Sequence, residues 1–209
     1  MLTKVLLTVC VIAYFAFSLW IVRDVRLDTK TISICAIVIA LTLILESIFI
    51  PLPTGAVIPL CSPVPLLVLA ICIDPKLAII SGWIVGLLSM VMLPTWQPVH
   101  WAQIFVEHLV CFSCLGYAGL FPSKSKLGIL PGILVAFFLK FMGHAASGVV
   151  FFSQNAWDGW GPWAYSMAYH LTSKVPLMIL CAVVMMALPL KTIERLGKSK
   201  TMKQKGSAA

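Results

Sequence analysis

Charge is what this chain has least of. Only 11% of its 209 residues are Asp, Glu, Lys or Arg, and just seven of them are acidic. A soluble domain of this length carries roughly twice that charged fraction, so a water-exposed globular enzyme is excluded. Catalytic signatures are missing as well. There is no H-E-x-x-H zinc helix, no G-x-S-x-G nucleophile turn and no paired-carboxylate metal motif. Without a G-x-x-x-x-G-K-[ST] phosphate loop, any ATP-driven step has to be supplied by another polypeptide. Internal repeats, low-complexity tracts and a second domain are absent too. The seven cysteines form no even-numbered framework for disulfides. The single C-x-x-C, Cys111 and Cys114, lies inside an apolar stretch with no second pair and no nearby histidine ligands, which points to packing.

What is abundant is apolar length. Hydrophobic residues make up 61% of the chain, and they group into seven segments: 4–22, 31–50, 60–73, 77–93, 99–121, 127–153 and 162–190. Most are long enough to cross a bilayer, while 60–73 is short for a full crossing. The expected fold is therefore an all-α integral membrane protein. Pro51, Pro53 and Gly55 break the chain after the second segment, and "IDPK" at 73–76 makes a tight turn. The first segment resembles a signal peptide in length. Its poor cleavage site and the basic cluster behind it favour a retained helix.

The net charge of +8 is a matter of topology. Arg23, Arg26, Lys30, Lys76, Lys124, Lys126, Lys191, Arg195, Lys198, Lys200, Lys203 and Lys205 all fall on one side when seven spans are threaded. By the positive-inside rule that side is cytoplasmic, so the amino terminus is outside and the carboxy terminus inside. This explanation leaves no need for a nucleic-acid partner; the basic residues also suit anionic lipid. Three domains follow: 1–30, an extra helix and basic linker; 31–190, the membrane domain; and 191–209, a basic tail. The outer segments 51–59, 94–98 and 154–161 are rich in Pro, Gly and Trp, a composition suited either to an interfacial belt or to covering an opening.

Ionisable residues inside apolar spans are expensive and usually face a cavity, a partner or a substrate. Counted from the outer ends of their helices at 1.5 Å per residue, Glu107, His144 and His170 all lie about 12–13 Å deep. Lys140, His144, Gly148 and Phe152 form one i, i+4 stripe, and Ser166, His170 and Lys174 form another. His100, Gln103, Glu107 and Cys111 share a face of the fifth segment. Converging faces would bring Lys140 or Lys174 near the Glu107 carboxylate, and Gly148 would leave room for a planar ligand above His144. His108 points about 100° away from Glu107 and suits a packed core position equally well. A purely structural ion-pair network is the competing reading of this tier. Two other functions fit the residues: a self-contained proton-coupled carrier using the histidines as relays, or an intramembrane enzyme using Glu107 with His144 or His170.

The motifs carry a more specific message. "CAIVIALTLILE", "PLPTGAVIPLCSPVPLLVLAICIDPKLAIISGWIVGLLSMV" and "WAQIFVEHLVCFSCLGYAGLF", followed by "KFMGHAASGVVFF" and "WAYSMAYHLTSKVP", resemble the substrate-binding (S) components of energy-coupling-factor vitamin transporters. The thiamine-specific family is the most similar, over about residues 30 to 190. The resemblance implies a six-helix core, to which this chain adds an amino-terminal transmembrane helix. It also implies a bacterial cell membrane, capture of thiamine or a related heteroaromatic vitamin or precursor, and no cofactor of the chain's own. By the same resemblance, Glu107, His144, Gly148 and Tyr165 line the vitamin pocket. His108 stands where the family has Tyr, Phe152 where it has Trp and His170 where it has Asn. Tyr169, Lys140 and Lys174 complete the candidate set. Ala36 and Ala40 would form the small-x-x-x-small surface that docks a transmembrane coupling subunit, which two ATPase subunits energise.

Overall fold

The computed structural model describes residues 2–93, 98–121 and 125–205, with side chains described from 5 to 197. The outer segment 94–97, Lys124 and the side chains of Lys198, Lys200, Lys203 and Lys205 lie outside the described residues. Eight helical elements follow one another: α1 (Leu2–Val22), α2 (Thr29–Ser47), α3 (Pro63–Ile73), α4 (Pro75–Met92), α5 (Trp101–Leu120), α6 (Leu127–Phe151), α7 (Pro162–Ala187) and α8 (Leu190–Lys205). Among the described residues six helices, α1, α2 and α4 to α7, are long and apolar enough to cross a membrane. The protein is thus an all-helical, multi-pass membrane protein, as expected.

Local chemistry explains the helix ends. Asp28 caps α2 by accepting the Thr31 N–H at 2.7 Å, and Asp74 caps α4 by accepting the Lys76 N–H at 2.8 Å. Pro75 sits at the first position of α4, where its missing N–H costs nothing. The short α3 needs no lipid-spanning length because it is enclosed by protein: Leu66, Leu67 and Leu69 are fully buried. It forms the centre of the main apolar core with residues from α2, α4, α5, α6 and α7.

Three boundaries depart from the sequence reading. Residues 49 and 50, assigned to the second span, instead belong to β1 (Phe49–Pro51), which pairs with β2 (Val57–Pro59) in an antiparallel hairpin, Ile50 opposite Ile58. The run Ile48-Phe49-Ile50 followed by Pro51 and Pro53 favours extended backbone over helix. Gly55 makes the reversal at φ 84°, a conformation that suits glycine. Second, the last span ends at Ala187, and the basic tail continues as a separate helix. Third, α5 is not one continuous α-helix. Its middle, Ile104–Val110, is a π-helix and its end, Cys114–Leu120, is 3-10.

Close helix contact lets α4 and α5 pack backbone to backbone. A Cβ at Gly82 would lie 2.5 Å from Ser113 Cα, and one at Gly86 would lie 2.6 Å from the His108 carbonyl oxygen. Small residues supply such contacts in membranes, where no hydrophobic drive brings helices together. The first helix packs on the same side. Tyr14 Oη and Ser113 Oγ are 2.7 Å apart, and Ser18 Oγ and Tyr117 Oη are 2.6 Å apart. Ala36 and Ala40, by contrast, lie on an exposed face of α2.

Candidate functional site

The hairpin, the middle of α5, the end of α6 and the first half of α7 enclose one cavity of about 450 Å³. That is within the range of small-molecule sites. Its floor meets a second cavity of about 20 Å³, room for about one water.

Glu107 is the acidic group of the main cavity. Its Oε2 accepts hydrogen bonds from Gln103 Nε2 at 2.6 Å and from Ser147 Oγ at 2.8 Å. Oε1 accepts no hydrogen bond; His144 Nδ1 stands 3.5 Å away without hydrogen-bond geometry. One carboxylate oxygen is therefore held by two neutral donors, and the other lies beside the His144 ring, both residues lining the cavity. Both ring nitrogens of His144 are buried without a hydrogen bond among the described residues, Nδ1 having only the Glu107 carboxylate at 3.5 Å. Such groups are costly to leave unpaired, which marks them as waiting for a partner.

Nine of the ten predicted pocket residues line this cavity: Glu107, His108, His144, Gly148, Phe152, Tyr165, Tyr169, His170 and Lys174. Lys140 does not. Its ammonium group donates to the Cys111 carbonyl at 3.1 Å, lies 4.4 Å from the centre of the Phe112 ring, and borders only the small cavity. The expected pairing of Lys140 or Lys174 with Glu107 is likewise not found: neither ammonium is within 4 Å of that carboxylate. Gln103 and Ser147 occupy the acceptor sites instead.

Gly148 also plays a different part from the one expected. A Cβ there would collide with Ser166 Oγ and come within 3.3 Å of His170 Nε2. The glycine thus brings α7 against α6, and the His170 ring fills the space over His144, stacked at 5.4 Å and 20°. Cys111 leaves the Glu107 face because of the π-helix, and its thiol donates to the Val106 and Lys140 carbonyls. Cys114 is similarly packed, donating to the Ala136 carbonyl.

Aromatic rings supply the flat walls. Tyr165 and Tyr169 are neighbours at 5.8 Å, and Tyr169 meets His170 edge-on at 5.1 Å. Trp157 of the 152–161 connection packs edge-on against Tyr165 at 5.2 Å, supporting the wall from behind. His108, the position of uncertain role, is buried with Nδ1 3.3 Å from Ser89 Oγ, yet it also lines the cavity. Sequence reasoning missed the hairpin's contribution, namely Phe49, Gly55, Ala56 and Val57, together with Asn155 and Ser173. Only the Pro- and Gly-rich composition of 51–59 hinted at a cover.

The class of protein is thus a multi-pass helical membrane protein with one polar, aromatic-walled cavity inside its bundle. Its family follows from comparison. The profile of the family described as Thiamine transporter protein (Thia_YuaJ) matches residues 32–196, and the chain belongs to that family. The thiamine transporter ThiT of Bacillus subtilis (strain 168) is 28% identical over 168 residues, which cover 75% of this chain and 86% of that protein. The structure of ThiT from Listeria monocytogenes has the same fold. It superposes with a TM-score of 0.70 at 21% identity, covering 78% of this chain and 94% of the other. The match begins at residue 32, so α1 precedes it.

Proposed function

We propose that this protein is the substrate-capturing membrane subunit of an energy-coupling-factor transporter, and that it takes thiamine or a closely related heteroaromatic from outside the cell. The observation that carries this reading is the Glu107 carboxylate, fixed through Oε2 by the neutral donors of Gln103 and Ser147 at the wall of an aromatic-lined cavity. Thiamine combines a cationic ring with an aminopyrimidine. A fixed carboxylate answers the charge or the amine, while Tyr165, Tyr169, Phe152 and His144 offer ring faces. The outer side is then the side of the hairpin and the 152–161 connection, and the basic residues of the other side face the cytoplasm.

Energy comes from partners in this reading. Ala36 and Ala40, exposed on α2, would receive a transmembrane coupling subunit at close range. Two ATPase subunits would drive that coupling subunit. The test is titration calorimetry of the purified chain with thiamine, paired with uptake by cells that do or do not co-express the partners. Tight binding by the isolated chain with partner-dependent uptake is expected. Uptake by the chain alone would replace this reading with a self-contained carrier.

A further inference from the structure

Lys174 is the unexplained group of the site. It is 8% exposed, in the middle of a membrane-spanning helix, and lines both cavities. The other lysine nearby is accounted for: Lys140 has a carbonyl and an aromatic face. Lys174 makes no hydrogen bond with the described residues, and no carboxylate among them stands within 4 Å of its ammonium. The acids around it are Glu46 and Glu107. The second has Gln103 and Ser147 on Oε2 and the His144 ring beside Oε1.

An ammonium group offers three donors. The 20 Å³ cavity shared with Glu46 has room for about one water, which can satisfy one of them. The remaining donors have only the 450 Å³ cavity to turn to. A buried cation left in this condition is disfavoured unless something else supplies its acceptors.

Building on the transport reading above, we infer that Lys174 is a second recognition group, opposite in polarity to Glu107. The ligand presents a donor or cationic ring to Glu107 and an acceptor, such as a ring nitrogen or an oxo group, to Lys174. The substrate class is therefore a heteroaromatic with a donor and an acceptor on one ring system. Oxo analogues fall within it beside amino ones.

The test compares thiamine with oxythiamine, in which an oxo group replaces the pyrimidine amine, by calorimetry on the full-length wild type and Lys174→Met. A lost charge-assisted hydrogen bond weakens binding about tenfold or more. The variant is expected to lose at least that for both compounds, and more for oxythiamine. Its ligand-free melting temperature should rise, because an unpartnered buried charge has been removed. A fall in melting temperature with unchanged affinities would make Lys174 a structural cation and overturn the proposal. If the methionine variant does not accumulate, Lys174→Gln carries the same comparison, and wild-type affinity for both compounds refutes the inference. Should the wild type itself bind neither compound, the transport reading fails first and this inference with it. Should the wild type bind thiamine and both variants match it, the inference alone fails.

Discussion

Replacing Glu107 by Gln tests the site at its most defined atom. The two side chains are isosteric, and Oε2 already accepts two hydrogen bonds, at 2.6 Å from Gln103 and 2.8 Å from Ser147. An amide oxygen can take over that position, so the internal network survives. Its NH2 group is then forced into the place of Oε1, the atom beside His144 that carries no hydrogen bond among the described residues. An acceptor carrying charge becomes a neutral donor, and a ligand amine or cationic ring now meets the wrong polarity. Hydrogen bonds to charged groups contribute about 1.5–3 kcal/mol, and each 1.4 kcal/mol corresponds to roughly tenfold in affinity. Glu107→Gln should therefore weaken thiamine binding by about ten- to a hundredfold, while the melting temperature of the free protein changes little. Calorimetry and a thermal melt on the same preparation read both quantities. Unchanged affinity would mean that Glu107 serves only Gln103 and Ser147, and the structural-network reading of the polar tier would replace the binding one.

Three further substitutions probe other parts of the site and its surroundings. Ala36→Trp with Ala40→Trp should abolish partner-dependent uptake while leaving calorimetric binding intact, because both positions lie on an exposed face of α2; uptake at the wild-type rate would remove that face as the docking surface. Gly148→Ala should lower the melting temperature and weaken binding together, since the added methyl meets Ser166 and His170 and overpacking typically costs about 1–3 kcal/mol; a melt identical to wild type would show that α6 and α7 can separate freely. His170→Asn removes the ring stacked on His144 and substitutes an amide with two donors and two acceptors. If thiamine is the native ligand its affinity should move by less than about tenfold, while the ranking of its pyrimidine and thiazole halves in a competition assay should change, and an identical ranking would show that His170 does not read the ligand.

Much of the architecture is legible from apolar length alone, because a bilayer tolerates few backbone solutions. The six long helices fall where the apolar segments do, and α3, flagged as too short to span, proves to be enclosed by the bundle. The hairpin was hidden because Ile48, Phe49 and Ile50 are as apolar as any helical residue. Hydropathy does not distinguish a short apolar strand from the last turn of a span. The basic tail also gave no sign of its helix in an apolar scan. Its docking depends on Leu190, Ile193 and the closeness of Gly197 to Ile73, whose Cγ1 a Cβ at Gly197 would meet at 3.3 Å, a tertiary matter.

The site was partly legible for a different reason. Depth and i, i+4 spacing are properties of single helices, so Glu107, His144 and His170 could be placed at one level without knowing how the helices pack. Which groups pair across helices is another matter. The ion pair between Glu107 and a lysine was the economical guess, but Ser147 and Gln103 reach the carboxylate first. Neutral hydroxyl and amide donors can fix a carboxylate without cancelling its charge. A lysine partner would have neutralised it and left little for a cationic ligand. The same logic applies to α5. In a regular helix Glu107 and His108 diverge by about 100°, yet both line the cavity, and both lie in the π-helix Ile104–Val110, a distortion frequent at functional sites. The widened turn lets adjacent residues serve one ligand. It also sends Cys111 away to pack against α6, where its thiol meets the Lys140 carbonyl. A locally irregular helix thus supplies two adjacent recognition groups, and the regular helices around it, pressed close at Gly82 and Gly86, hold that irregularity in place.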